Sequence, residues 1–114
     1  MSDFFERWAT QARKGVLELA VLNALSQERL YGYELVKRLQ AVPGLVIGEG
    51  TIYPIMSRLQ REGLVKSELE ESRGGPARKY YLLSDKGREE LAAIRARWSA
   101  MVRGVAVLGG DDAD

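Results

Sequence analysis

At 114 residues the chain is long enough for one domain with a modest core. Its 46% hydrophobic and 29% charged residues exclude a disordered chain, and the lack of cysteine and histidine excludes disulfides, structural zinc, thiol nucleophiles and imidazole bases together. Net charge is only +1, but Asp111, Asp112 and Asp114 account for much of the acid, and residues 1–110 stand at +4, which permits a nucleic-acid partner without arguing for one.

Residues 3–12 place Phe4, Phe5, Trp8 and Ala12 at helical spacing. Gly15 is expected to kink or separate this helix from a second over residues 16–26. That second segment is apolar on nearly every side and belongs at the centre of the domain. It is only ten residues of apolar run, interrupted by Glu18 and Asn23, and has no small-residue cleavage site. It is neither a membrane span nor a targeting signal, so a cytoplasmic protein is expected.

A loop over residues 27–30 leads to a helix over residues 31–41, with Leu35, Val36, Leu39 and Val42 expected inward and Lys37, Arg38 and Gln40 outward. Pro43-Gly44 stops it. Residues 45–47 (Leu-Val-Ile) are too short for a helix and are bounded by glycines, which predicts a minimal strand. A helix from about residue 50 follows, with Ile52, Ile55, Met56 and Leu59 as one buried stripe and Gly63 as its left-handed cap. Pro54 sits early in it and predicts an irregular first turn.

Residues 64–71 alternate roughly and meet the turn cluster Ser72-Arg73-Gly74-Gly75-Pro76, after which residues 77–83 read as the return strand. Ser84 caps a last helix with acid in its first turns, running to about Leu108 and ending at Gly109-Gly110. The predicted fold class is mainly α with a small β-hairpin (α+β). It comprises an N-terminal helix and a winged helix-turn-helix over residues 1–83, a C-terminal dimerisation helix over residues 84–110, and an acidic disordered tail over residues 111–114.

The helix over residues 50–62 has a face of hydroxyl, phenol and guanidinium groups opposite its apolar stripe. By itself this fits an amphipathic core helix as well as one lowered into a DNA groove. The hairpin favours the second reading. Arg73 precedes Gly74-Gly75 and Arg78-Lys79 follow Pro76, so cations flank a loop whose glycines allow close approach to a phosphate backbone or a minor groove. On the helix, Arg58 is the side chain suited to a bidentate guanine contact, while Thr51 and Ser57 suit phosphates. Arg13 and Lys14 could add a phosphate contact. The alternative is a winged helix used as a protein-interaction adaptor, with exposed tyrosines as anchors and no specific DNA binding. No metal-ligand spacing or phosphate-binding glycine loop is present, and Glu70 and Glu71 fall on an exposed hairpin, so no enzyme, cofactor or metal is expected.

Three ordered stretches carry a resemblance. They are Leu30-Tyr31-Gly32-Tyr33-Glu34-Leu35; Gly50-Thr51-Ile52-Tyr53-Pro54 with Arg58-Leu59 and Glu62-Gly63-Leu64-Val65; and Gly75-Pro76-Ala77-Arg78-Lys79-Tyr80-Tyr81 with Leu83-Ser84-Asp85-Lys86-Gly87. Together the chain resembles the PadR family of bacterial transcriptional regulators over residues 15–91, most closely the short subgroup with a single C-terminal helix. The resemblance implies a dimeric winged-helix repressor. It places Tyr31 and Tyr33 near the DNA-facing side, Thr51, Tyr53, Ser57 and Arg58 on the recognition helix, and Arg78 and Lys79 in the wing.

The last helix supplies separate evidence for a homodimer. Leu91, Ile94, Trp98, Met101, Val105 and Leu108 recur at 3, 4, 3, 4, 3, a heptad seam about 26 Å long at ~1.5 Å per residue. The alternative is a helix packed on its own domain. The seam is expected to meet its twofold mate and the aromatic Phe4, Phe5 and Trp8, giving a dimer suited to a pseudo-palindromic operator. Trp98 either fills that interface or, as the resemblance implies, stacks on a small aromatic ligand.

Overall fold

The computed structural model describes residues 2–111, so all of the predicted acidic tail beyond Asp111 lies outside the described residues. The elements run α1 (Asp3–Gln27), β1 (Leu30–Tyr31), α2 (Gly32–Gln40), α3 (Glu49–Arg61), β2 (Val65–Glu70), β3 (Arg78–Leu83) and α4 (Asp85–Leu108). The α+β class and the winged helix-turn-helix order follow the expectation, with two corrections.

The first correction is at Gly15. One unbroken helix of 25 residues passes through it, started by Ser2, whose hydroxyl accepts from the Phe5 N–H at 3.1 Å. A single interior glycine costs about 1 kcal/mol relative to alanine, too little to break a helix whose neighbours favour it. The second correction concerns the minimal strand. Residues 45–47 form no strand. Gly44 and Val46 both adopt positive φ, at 82° and 39°, and this breaks the extended path. Leu45 is instead buried as an anchor for the loop.

The short strand lies at Leu30–Tyr31, paired antiparallel with Tyr81 and Tyr80 of β3. The sheet order is therefore β1-β3-β2, with Val65 opposite Leu83 at the root of the wing and Glu70 opposite Arg78 toward its tip. α3 runs continuously through Pro54. Irregularity is confined to a tightened start, where the Thr51 N–H donates to the Gly48 carbonyl at 3.1 Å.

The core gathers Leu17, Val21, Leu22 and Leu25 of α1, Leu35, Val36 and Leu39 of α2, and Ile52, Ile55, Met56 and Leu59 of α3. Val65, Tyr81 and Leu83 close it from the sheet and Leu91 from α4. Leu91, expected in the dimer seam, is 2% exposed and belongs to this subunit's own core, with Ile94 packed partly against it. Farther along α4 exposure climbs, from 40% at Trp98 and 50% at Met101 to 68% at Val105 and 88% at Leu108. The helix leaves the body there, carrying an apolar stripe that this subunit does not cover.

α3, the wing and α4 meet at a buried junction. α3 ends in a Schellman turn: the Gly63 N–H donates to the Gln60 carbonyl and the Leu64 N–H to that of Leu59, with Gly63 at φ 80°. Ser84 then donates its hydroxyl to the Gly63 carbonyl at 2.6 Å and its N–H to that of Leu64 at 3.1 Å, while accepting from the Gly87 N–H at 2.9 Å. Gly87 lies so close that a Cβ there would sit 2.1 Å from the Leu64 carbonyl oxygen. Gly87→Ala should therefore cost about 1–3 kcal/mol or more, since backbone rather than a flexible side chain must move. Urea unfolding measures this, and a variant as stable as the wild type would show that the junction is looser than its geometry.

Candidate nucleic-acid interface

α3 is amphipathic by position. Opposite the buried Ile52, Ile55, Met56 and Leu59, its outermost stripe is Gly50, Pro54, Ser57 and Arg61, all exposed. Three small or compact residues followed by a long cation leave the helix backbone free to approach a surface closely. Arg61 was not among the residues singled out in the sequence. Its signal was the spacing of 4, 3 and 4 on the face directly opposite the core stripe.

The other α3 residues lie to either side of that stripe. Tyr53 leans toward α2, its hydroxyl 3.1 Å from where a Cβ on Gly32 would stand, so Gly32 makes room for the ring. Partial burial raises the Tyr53 phenol pKa above its ordinary 10.0, assisted by the Glu49 carboxylate and Tyr81. On the opposite side, Thr51 and Arg58 share a shallow cleft with Lys14 and Glu18 of α1. Arg58, the expected guanine reader, reaches back to Glu18 at 3.0 Å. Both partners are substantially exposed, so this pair is worth no more than about 1 kcal/mol and is readily exchanged for another anion.

Lys14 is thus brought to α3, whereas Arg13 is not. Arg13 donates to the Thr10 hydroxyl at 3.3 Å and borders a groove of about 310 Å³ with Phe5, Trp8 and Pro43.

The wing tip is shaped by Ser72, whose hydroxyl donates to the Pro76 carbonyl at 2.8 Å, and by Gly74 at φ 71°. Arg73 and Gly75 are exposed beside it. Arg78 and Lys79, successive along β3, face opposite sides of the sheet. The Arg78 guanidinium sits over the Tyr31 ring at 4.9 Å and the Lys79 ammonium over Tyr81 at 5.3 Å. Tyr31 stacks on Tyr33 at 6.4 Å and meets Tyr80 edge-on at 5.8 Å, while Lys37 lies over Tyr33. Tyr31 and Tyr33 thus form one cluster with Tyr80, Lys37 and the wing's Arg78, while Lys79 lies on the other face. Among the described residues, Lys14, Arg61, Arg73, Arg78 and Lys79 have no carboxylate partner, so their charge faces solvent.

A second exposed region is apolar. Phe4, Phe5 and Trp8 of α1 and Trp98, Met101, Val102, Val105 and Leu108 of α4 all show substantial surface. Trp98 stands between two grooves of about 440 and 270 Å³, one shared with Val16, Leu19 and Val42, the other with Ala12, Ile94 and Met101. Among the described residues no helix is long and apolar enough to cross a membrane.

Comparison with known proteins points the same way. Residues 21–93 match the family model described as the transcriptional regulator PadR-like family. A PadR-like transcriptional regulator of Bacillus cereus superposes with a TM-score of 0.81 at 40% identity, covering 90% of this chain and 99% of that one. A PadR family regulator of Eggerthella lenta gives a TM-score of 0.81 at 36% identity over 96% of both chains. A PadR-like transcription factor from Bacteroides fragilis gives 0.73 at 35% identity, over 87% and 95%.

The Tyr53 environment yields a pH prediction. Because the phenol's pKa is higher folded than unfolded, its stabilising share is fully present below the ordinary value of 10.0 and is lost as pH rises through the folded value. Tyr53→Phe should therefore lose stability less steeply than the wild type above pH 10, read from urea midpoints across alkaline pH. Parallel curves would mean that the ring is freely solvated.

Proposed function

Since the chain belongs to the PadR-like family of transcriptional regulators, we propose that it is a homodimeric DNA-binding repressor of a pseudo-palindromic promoter site, relieved by a small aromatic ligand. The observation that carries this reading is α3's compact outward stripe beside cations without carboxylate partners. Lys14 shares a cleft with Thr51 and Arg58 of α3, and Arg73, Arg78 and Lys79 belong to the wing, whose β2 is tied to α3 where Gln60 donates to the Ser67 hydroxyl at 2.9 Å. α3 enters a major groove while the wing follows the adjoining backbone. Gly50, Pro54 and Ser57 set the depth of approach, Arg61 and the wing cations hold phosphates, and Arg58 reads a base after exchanging Glu18 for DNA. Arg13 is left out of this surface.

The exposed half of α4 supports the dimer. Trp98, Met101, Val105 and Leu108, with Phe4, Phe5 and Trp8, form the interface, and burying a side chain of this size contributes about 1.5–3 kcal/mol. Two copies then hold their α3 helices about one helical turn of B-DNA, ~34 Å, apart. The grooves beside Trp98 have the volume and apolar lining of a small-molecule site, so a flat aromatic compound is the natural relieving ligand. The ligand acts only so far as it prefers dimers whose spacing does not fit DNA.

Three measurements test this reading. Affinity for a duplex from the chain's own promoter should fall with salt at about −0.9 per neutralised phosphate, and Lys79→Ala should make that slope shallower by about 1 while weakening all sequences alike. Arg58→Ala should instead reduce discrimination between operator and mixed-sequence DNA by about 1–3 kcal/mol. Salt-insensitive or absent binding would overturn the regulator reading, and intact discrimination in Arg58→Ala would overturn the assignment of the reading residue. Light scattering should give twice the chain mass, falling toward the monomer for Met101→Glu/Val105→Glu. In Trp8→Phe protein, flat aromatic compounds should quench the remaining Trp98 emission.

A further inference from the structure

Arg29 lies in the two-residue link between α1 and β1, outside the surface described above. Its guanidinium donates to the Glu68 carboxylate at 2.6 Å and to that of Glu70, and it lies over the Tyr80 ring at 4.2 Å. One cation thus spans both outward acids of β2, two residues apart on the same face of the strand. Beyond it the contacts continue in order: Tyr80 edge-on to Tyr31, and Tyr31 beneath the Arg78 guanidinium.

We propose that Arg29 is a positioning residue for the wing: it offsets one of the two charges of Glu68 and Glu70, ties both side chains down and, through Tyr80 and Tyr31, holds the sheet face on which Arg78 meets phosphate. This rests on the DNA-binding reading. A wing that carries Arg73, Arg78 and Lys79 to DNA also carries Glu68 and Glu70, and bare carboxylates on that strand would repel the phosphates its cations attract. Lysine would offer a single point charge, whereas the planar fork of arginine presents separate nitrogens to the two carboxylates while its flat face lies over the ring.

The test compares wild type, Arg29→Ala, Arg29→Ala/Glu68→Gln/Glu70→Gln and Glu68→Gln/Glu70→Gln on a mixed-sequence B-form duplex, with circular dichroism confirming the fold. Arg29→Ala should bind about twofold more weakly, the size expected for one charge facing a phosphate at ~8 Å in a water-like dielectric. The triple variant, two charges less acidic than Arg29→Ala, should bind about fivefold more tightly than that variant, which a merely structural loss of Arg29 would not allow. Glu68→Gln/Glu70→Gln, with Arg29 now free, should bind more tightly than wild type with a salt slope steeper by about 0.9. If wild type binds but Arg29→Ala binds equally well, or the triple variant stays as weak as Arg29→Ala, the inference falls. Should Arg29→Ala fail to fold, an unchanged affinity and slope in Glu68→Gln/Glu70→Gln overturns it alone. Wild type that binds no duplex at all refutes the regulator reading instead, so the two failures are separable.

Discussion

The geometry depends on the junction around Ser84. One hydroxyl bonded to the Gly63 carbonyl and to the Gly87 N–H joins the end of α3, the root of the wing and the start of α4. Lys86 reinforces it by donating to the Glu62 carbonyl at 2.9 Å. Each backbone group there would otherwise be an orphan of a helix end, and burial makes an unpaired one costly. The three parts proposed to contact other molecules, two for DNA and one for a second subunit, are therefore fixed to one another within a few residues. Their relative angles are set by hydrogen bonds and a glycine contact rather than by a loop.

A few of the cations are committed within the subunit. Arg29, Arg38 and Arg58 are each held by carboxylates, and Arg95 ties α4 to Asn23 and Ser26 of α1. The cations of the outer α3 face and the wing are not so held. A net charge of +1 over the whole chain says little about what each face attracts, because the local distribution counts for more than the sum.

How legible this was in the sequence varied with the range of the forces involved. Local signals worked: Gly63 as a helix stop, Ser84 as a cap, and the Ser72–Pro76 cluster as a hairpin turn all appear where short-range chemistry placed them. β1 did not, because Leu30 and Tyr31 become a strand only by pairing with residues fifty positions later, a contact no local pattern encodes. The residues 45–47 run looked like a strand by composition, yet the backbone reversal at Gly44 and Val46 overrode it. Gly15 shows the converse: a residue read as punctuation was absorbed by strong helix-forming neighbours. Within the candidate site, residue types and elements were readable, but which way each side chain turned was not. Spacing puts Arg61 opposite the core stripe, but that Arg58 turns back to Glu18 is visible only in the packing. Likewise the heptad of α4 gave no sign that its first member, Leu91, was already used by its own subunit.

The unbroken passage of α1 through Gly15 has a mechanical corollary. Phe4 and Trp8 at one end and Glu18 near the other belong to a single rod, with Trp8 about 15 Å from Glu18 at ~1.5 Å per residue. Two separate segments would absorb a displacement of the aromatic end in the joint between them. A stiff lever instead conveys it to the cleft beside α3, where Glu18 grips Arg58.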